Sequence, residues 1–456
     1  MTKILIQRTF ISLFHFLRKK LNFAGFSLSV GKFILNLHFL TLKFMSKIEI
    51  YSEIGQLEGV ILHTPGKEIE QMTPATIGHA LYSDILNLNI AQKEYSYFKG
   101  VLDSWCKTYE VTDLLAQVLQ NESVKQDLLS RILERENKNF LYLELVEQPS
   151  DLLAVYLIEG YPFKEGKHPV EYKEKRFVLE PLYNLFFTRD ASSSIYNQVL
   201  IHSMKTSVRD RESFIMECIF RNIFSAEIIN PKLISSDATT EGGDYLIAKE
   251  DVLFIGNGLR TNNKGIEFMT NWYAARKEKQ KILVQQLPQV RDSFIHLDMV
   301  FNFLDKDKCI VYEPLICKNN TGYNTTLIDI DHGKITYKEF PSFLSATKAL
   351  GFDLQPIACG GEDLWNQERE QWHSGANFFC MGEGKVIGYA RNTHTIDKLP
   401  KHGFEIINAE DVVNKKTDLR TKDKFAVTVQ ASELPRGCGG ARCMTMPVLR
   451  KAVNWK

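Results

Sequence analysis

Short apolar strands alternate with amphipathic helices throughout residues 180–456, and this pattern constrains the fold more than any other feature of the chain. The segments VLFIGNG, CIVYEP and FEIIN are brief apolar runs of the kind that forms strands. TNNKGIEFMTNWYAARKEKQ instead repeats aromatic and aliphatic residues at three- and four-residue spacing, which predicts a helix. Strands interleaved with helices in this way predict an α/β fold rather than a helical bundle or a β-sandwich.

Residues 111–178 break this alternation. The segment that begins VTDLLAQVLQNESVKQDLLSRILERENKNF is helical in pattern and has few strand signals. Thr112 or Asp113 is a candidate N-cap for its first helix, and the segment Asn121-Glu122-Ser123 is the candidate for the next. We therefore predict a helical insertion at 111–178 in an α/β body formed by 45–110 and 179–456.

Residues 1–44 contain no Asp or Glu but are rich in Phe, Leu and basic residues. A targeting peptide or membrane-associated segment has such a composition. Basic residues interrupt every apolar run before it reaches the roughly 18 residues of a spanning helix: Arg18, Lys19, Lys20, Lys32 and Lys43. The stretch after Met45 is typical of the start of a globular protein. The extension is therefore either sequence upstream of a start at Met45, or a presequence or membrane anchor.

The overall charge and the cysteine pattern exclude several classes of protein. A formal net charge of +1 gives no indication of a nucleic-acid-binding surface. The eight cysteines form no C-x-x-C pair, and a chain of 456 residues is far too long for a small disulfide-stabilised scaffold. We therefore predict a reducing compartment, the cytoplasm.

Four polar clusters combine charge with glycine or with a strand end: FFTRD at 186–190, EGGD at 241–244, HLD at 296–298 and GCGGARC at 437–443. Each cluster alone has a structural explanation, such as a surface ion pair, a turn, a structural histidine or a buried thiol. Together they supply a cysteine, a histidine and separate carboxylates, the components of a cysteine-nucleophile site. Zinc would require ligands in close local pairs, and the histidines form none, so we predict no metal.

Six motifs in order resemble those of the arginine deiminases, guanidino-modifying enzymes of the pentein superfamily. The motifs are GVILHTPG with the following MTP, LYNLFFTRD, EGGD, the HLD of FIHLDMVFNF, REQWHSGAN and ELPRGCGGARCMTMP. The resemblance runs from about residue 50 to the C-terminus. It implies a five-bladed α/β propeller, in which 111–178 corresponds to the helical domain of arginine deiminases, and a homo-oligomer without a cofactor.

The resemblance also implies a role for each cluster. Carboxylates recognise a planar guanidinium through paired hydrogen bonds, and Asp190 and Glu241 would bind the substrate in this way. Cys443 would attack the guanidinium carbon as a thiolate, and His296 would protonate the departing ammonia and then activate water. Asp298 would orient groups at the same site. The further residues implied to bind substrate are Asn184, Phe187, Arg209, Arg260, Asp244 and Gly437.

Three positions depart from the family pattern. Arginine deiminases usually read RGRGG where this chain reads RGCGG, so Cys438 replaces an arginine that contacts the substrate's α-carboxylate. Arg209 and Arg260 align with the other carboxylate-binding arginines. Ser83 interrupts an acidic pair in a loop that closes over the site, and Ala390 stands in a usual YDRN motif.

The most favoured function is hydrolysis of L-arginine to L-citrulline and ammonia through a covalent cysteine intermediate. The sequence leaves three alternatives open: a deiminase or dihydrolase of a modified guanidino compound, an amidinotransferase, and a pentein that binds arginine without turnover. The intact set of Asp190, Glu241, His296 and Cys443 argues against the last.

Overall fold

The computed structural model describes residues 47–231, 237–290 and 293–455. The extension predicted at 1–44 lies outside the described residues. Within those described, no helix combines the length and the apolar character needed to cross a membrane.

The strands are numbered here in chain order. They are β1 (Leu57–Leu62), β2 (Lys107–Glu110), β3 (Tyr161–Pro162), β4 (Phe177–Leu179), β5 (Ser192–Ile195), β6 (Gln198–Ile201), β7 (Glu227–Ile229), β8 (Tyr245–Lys249), β9 (Val252–Asn257), β10 (Lys279–Gln286), β11 (Phe301–Phe303), β12 (Lys308–Val311), β13 (Thr325–Asp331), β14 (Lys334–Phe340), β15 (Gln355–Ala358), β16 (Phe379–Gly382), β17 (Lys385–Tyr389), β18 (Glu405–Asn408), β19 (Phe425–Val429) and β20 (Met446–Arg450).

The α-helices are numbered in the same way. They are α1 (Lys67–Glu70), α2 (Leu88–Trp105), α3 (Val111–Val118), α4 (Glu122–Arg135), α5 (Tyr142–Val146), α6 (Ser150–Glu159), α7 (Asp210–Asn222), α8 (Asn263–Ala275), α9 (Glu313–Ile316), α10 (Phe343–Ala349), α11 (Leu364–Trp372), α12 (Thr393–Ile396) and α13 (Ala409–Val413).

Five sheets share one plan: an antiparallel pair of strands, and a third strand that lies parallel to the second of the pair and follows it after at least one helix. In one sheet β5 pairs antiparallel with β6, α7 follows, and β7 returns parallel to β6. The same order holds for β8, β9, α8 and β10. The sheet β2-β1-β20 is assembled from distant parts of the chain, because β20 pairs antiparallel with β1 and β2 follows α2 in parallel. The predicted α/β fold is confirmed, and the predicted strands correspond to β9, β12 and β18.

Helices α3 to α6 occupy residues 111–159, within the predicted insertion. The cap predicted at Thr112 or Asp113 is wrong, because α3 follows β2 directly and Glu110 becomes its N-cap. The Glu110 carboxylate instead accepts a hydrogen bond from Thr64 Oγ1 at 3.1 Å. The prediction for Asn121 is confirmed, since its side chain accepts the backbone N–H of Ser123 at 3.1 Å.

The helices of 111–159 do not have a core of their own. Their buried leucines form one hydrophobic cluster with residues of β6 and α7, such as Val199 and Ile219. Burying each such side chain stabilises the fold by about 1.5–3 kcal/mol. The helical segment and the α/β body therefore support each other.

Candidate active site

In each of the five repeated sheets, the segment just before the first strand of the antiparallel pair supplies one polar side chain to a single site. Asp190 precedes β5, Glu241 precedes β8, His296 precedes β11, Asn377 precedes β16 and Cys443 precedes β20. All five side chains are buried. The repeated plan therefore brings together groups that lie far apart in the sequence.

His296 lies between two carboxylates. Its Nε2 is 3.0 Å from Glu241 Oε2, and its Nδ1 is 3.7 Å from Asp190 Oδ1. Burial alone would lower the pKa of His296, but Asp190, Glu241 and Asp244 outweigh it and raise that pKa to about 9. The imidazole is therefore a cation at neutral pH and can serve as a proton donor.

The glycines of the EGGD motif allow this close arrangement. A Cβ added to Gly243 would lie 2.4 Å from Nδ1 of His296, and one added to Gly242 would lie 1.9 Å from the carbonyl oxygen of Arg189. Both approaches are closer than carbon and nitrogen or oxygen can tolerate. Gly243 is therefore required by packing against the imidazole, and Gly242 by the close approach of the Arg189 backbone.

The Cys443 thiol is 2% exposed, and its sulfur lies 3.8 Å from Asp298 Oδ2. Burial, with the negative charges of Asp298 and Asp190, raises the pKa of this thiol well above its ordinary value. The backbone is held by Asn377, whose Oδ1 accepts the N–H of Cys443 at 3.3 Å and that of Arg442 at 2.9 Å. The Cys443 thiol is thus fixed in place and protonated in the free protein.

Arg442 forms the buried support behind this thiol. It donates to Asp298 Oδ2 at 2.8 Å and to Glu53 Oε1 at 3.0 Å. Burial would raise the pKa of Glu53, but Arg442 and Arg189 lower it to about 2. Asp298 is therefore committed to a structural ion pair and positions Cys443 from behind.

A pocket of about 190 Å³ opens in front of these groups. The predicted residues that line it are Asn184, Phe187, Asp190, Arg209, Arg260, His296, Gly437 and Cys443. A Cβ on Gly437 would lie 2.8 Å from Cζ of Phe187, so glycine lets this segment pack against the ring.

Three predicted residues, Glu241, Asp244 and Asp298, are fully buried and are not among those that line the pocket. Asp244 Oδ1 accepts the backbone N–H of Leu297 at 2.9 Å, and burial raises the pKa of Asp244 to about 7. The structure therefore places Asp244 where it orients the segment that carries His296.

The two arginines predicted to bind the α-carboxylate are paired with the two carboxylates predicted to bind the guanidinium. Arg209 Nη1 donates to Asp190 Oδ2 at 2.6 Å, and Arg209 also forms a bidentate pair with Glu212 at 2.9 and 2.7 Å. Arg260 Nη1 lies 3.2 Å from both oxygens of Glu241. In the free protein, the charged side chains of the site therefore form ion pairs with one another.

The structure adds residues that the sequence analysis did not single out. Lys205 lines the pocket as a cation in addition to Arg209, Arg260 and His296, and its backbone N–H donates to Glu241 Oε1 at 3.2 Å. Its side chain is exposed and forms no ion pair with a described residue. Nothing local in the sequence marks Lys205. Asn377, by contrast, ends the REQWHSGAN motif.

Ser83 and Cys438, two of the three positions that depart from the family pattern, lie next to each other at the entrance of the pocket. The sulfur of Cys438 lies 3.5 Å from Ser83 Oγ. Cys438 is half-buried and has a left-handed backbone with φ of 62°. Beside them, Arg436 pairs with Asp84 at 2.6 Å, which connects the loop of Ser83 to the segment of Cys438.

Asp190, Glu241 and His296 each offer a ligand atom, and these atoms lie within 4.8 Å of one another. This spacing could hold a metal ion. The sequence had indicated no metal, because its histidines form no local pair. The two carboxylates are, however, already neutralised by Arg209 and Arg260.

Comparison with known proteins places the chain among enzymes of arginine metabolism. The family model described as arginine deiminase matches residues 79–450. The arginine deiminase of Bacillus cereus is 33% identical over 430 residues, covering 89% of this chain and 99% of that protein. The enzyme of Mycoplasma capricolum is 32% identical over 419 residues, covering 89% and 98%.

Among solved structures, an amidinotransferase from Microseira wollei, of the saxitoxin biosynthetic pathway, is similar with a TM-score of 0.51. It is 15% identical, and the match covers 89% of this chain and 98% of that one. At this identity the similarity extends to the fold alone.

Proposed function

The chain belongs to the arginine deiminase family, and we propose that it hydrolyses L-arginine to L-citrulline and ammonia through a covalent amidino-cysteine intermediate. The observation that carries this proposal is the convergence of Cys443, His296, Glu241 and Asp190, with the histidine held 3.0 Å from one carboxylate and 3.7 Å from the other. This set provides a nucleophile, an acid and an anionic cradle for a guanidinium.

Asp190 is the first point of substrate recognition. No described residue donates a hydrogen bond to its buried Oδ1. An unsatisfied buried acceptor is costly, and a guanidinium N–H would satisfy it with a charge-assisted bond. The substrate's positive charge also offsets the negative charges that keep Cys443 protonated, so binding favours loss of the thiol proton to solvent.

The first half of the reaction forms the covalent intermediate. The Cys443 thiolate attacks the guanidinium carbon, and a sulfur–carbon bond forms. The His296 cation gives its proton to the departing nitrogen as the carbon–nitrogen bond breaks, and ammonia leaves. The pKa of about 9 suits this role, because His296 carries the proton at neutral pH.

The second half releases the ureido product. The now neutral His296 takes a proton from water, whose oxygen bonds to the amidino carbon. The carbonyl forms as the sulfur–carbon bond breaks, and the remaining hydroxyl proton is released to solvent, where the ammonia that left earlier becomes ammonium. The net change is guanidinium plus water to a ureido group plus ammonium, and Cys443 is restored.

Binding of the amino-acid end proceeds by ion-pair exchange in this proposal. The substrate guanidinium displaces Arg260 from Glu241, and the released Arg260 then meets the substrate's α-carboxylate. Arg209 is held by Glu212 and stays beside the α-carboxylate. Asn184 and Phe187 form the rest of the pocket wall. Lys205 adds an exposed cation to the pocket lining, to which Cys438, in place of the family arginine, contributes no charge.

The proposal includes a five-bladed arrangement of the five repeated sheets. Their shared order of strands, and the equivalent placement of one site residue before each, support it. We also propose a small guanidino substrate as the partner, a homo-oligomer, and the cytoplasm as the location, because eight cysteines without a disulfide are typical of a reducing compartment.

The test measures ureido product and ammonia released by the full chain. L-arginine, agmatine, methylated arginines and an arginyl peptide are compared in parallel, with Cys443→Ala as the blank. Equal amounts of citrulline and ammonia from L-arginine support the proposal. Turnover of another guanidine alone, or transfer to an amine without ammonia, contradicts it.

A further inference from the structure

Helix α11 exposes a tryptophan-rich face that the proposed reaction does not use. Trp365 is 70% exposed, Trp372 is 50% exposed and Leu364 is 52% exposed. The helix begins at an N-cap, Asp363, whose side chain accepts the N–H of Asn366 at 3.0 Å. Tryptophan is enriched in protein interfaces, where it is among the residues that contribute most to affinity.

The opposite side of α11 is firmly anchored to the protein. Gln371 donates to the carbonyls of Ser293 at 2.8 Å and Met299 at 2.5 Å. Glu370 accepts the backbone N–H groups of His394 at 2.8 Å and Thr395 at 2.9 Å. Because these contacts fix the helix, its tryptophan face is presented rigidly.

The exposed face has a definite charge pattern. Successive residues lie about 100° apart around a helix, so Trp365 and Trp372, seven positions apart, form a ridge offset by only about 20°. Glu368 then lies on one side of this ridge and Arg369 on the other. Both side chains are exposed, and neither forms an ion pair within the described part of the chain.

We propose that this face, formed by Leu364, Trp365, Glu368, Arg369 and Trp372, docks against the same face of a second copy of this chain. The two α11 helices run parallel about a two-fold axis that follows their direction. That axis sets opposite flanks against each other, so Glu368 of each subunit meets Arg369 of the other. The tryptophan ridges meet along the centre.

Charge decides between the two possible orientations. An antiparallel pair would place equivalent flanks together, Glu368 against Glu368 and Arg369 against Arg369. Like charges in contact destabilise an interface, whereas opposite charges fix its register. A face with a negative charge on one side of an apolar ridge and a positive charge on the other is thus complementary to itself only in the parallel arrangement.

The face forms the centre of a larger interface. A tryptophan buries at most about 250 Å², so four of them contribute at most about 1,000 Å². A stable interface buries roughly 1,200–2,000 Å². Residues that surround α11 on both subunits therefore supply the remaining area.

The test measures the mass of the full chain by analytical ultracentrifugation over a range of concentrations. We expect a dimer whose dissociation constant rises at least about 30-fold in Trp365→Ala with Trp372→Ala. Tyr337→Ala is the control, because Tyr337 is 67% exposed on β14 and lies outside this face, and it leaves the dimer intact. Circular dichroism verifies that each variant is folded.

Charge exchange tests the orientation. Glu368→Arg and Arg369→Glu each weaken the dimer, and the double variant restores it because both contacts regain opposite charges. A monomeric wild type, whose face would then serve a different partner, overturns the proposal. So does an oligomer that survives loss of both tryptophans, or a double variant that stays weak. These readouts do not depend on turnover of arginine.

Discussion

Replacing Gly243 by alanine tests whether the position of His296 controls the reaction. The added Cβ would lie 2.4 Å from Nδ1 and 2.6 Å from Cγ of His296. The backbone of Gly243 does not have a positive φ, so alanine suits its conformation. The consequence of the substitution is therefore steric.

The surrounding contacts decide which group moves. The turn is held on both sides, since Gly242 N–H donates to the Asp190 carbonyl at 3.0 Å and Asp244 N–H donates to the Glu241 carbonyl at 3.1 Å. Contact at about 3.5 Å then requires the imidazole to recede by about 1 Å. A misplacement of about 1 Å can cost about 10²-fold in rate. We expect kcat for L-arginine to fall about 100-fold.

The assay is steady-state release of citrulline, with thermal unfolding measured in parallel. Gly78→Ala is the matched control, because Gly78 lines the same pocket and its added Cβ meets no atom within 4 Å. We expect wild-type kcat in that variant. If Gly243→Ala keeps kcat within a few-fold of wild type while folded, the packing argument for the EGGD motif is refuted.

Three other predictions concern the acid, the nucleophile and the pocket rim. Because the free protein carries a proton on both Cys443 and His296, whose pKa is raised to about 9, and the proposed reaction requires the Cys443 thiolate with the His296 cation, kcat/KM for L-arginine should rise with pH up to about 9, and a decline that begins near 6.5 would contradict this. Asn377→Ala leaves two buried N–H groups without an acceptor, which should cost about 1–3 kcal/mol of unfolding free energy each and lower kcat through displacement of Cys443, and an unchanged unfolding free energy would contradict this. Lys205→Ala should raise KM for L-arginine up to about five-fold, since an exposed ion pair is worth at most about 1 kcal/mol, and equal loss with agmatine, which lacks the carboxylate, would contradict a carboxylate contact.

The sequence predicted the fold class and the groups that meet in the site because their signals are local. Apolar runs and helical periodicity mark strands and helices, and glycine beside charge marks points such as the start of β8, which the EGGD motif precedes. The N-cap at Thr112 or Asp113 was wrong because β2 passes directly into α3, a connection that a cap signal within the helix cannot reveal.

Charge pairing inside the site could not be predicted from the chain. Arg209 and Asp190 are 19 residues apart, and only the folded geometry brings them to 2.6 Å. The contacts of Asn377 could not be predicted either. Its place at the end of the REQWHSGAN motif does not show that its buried amide accepts two backbone N–H groups. Such contacts depend on how separate sheets pack, and one sequence contains no record of that.

The internal pairing of the site determines which substrates it can favour. Glu241 is neutralised by Arg260 and His296 before any substrate arrives. In the proposed exchange, a guanidinium that pairs with Glu241 displaces Arg260, and Arg260 then needs another anion as its partner. L-arginine brings that anion in its own carboxylate, whereas a decarboxylated guanidine would leave Arg260 unpaired in a largely buried pocket. An unpaired charge in such surroundings is costly. Under the proposed exchange, discrimination in favour of L-arginine would therefore persist although Cys438 replaces the family's arginine, and Lys205 would only add to it.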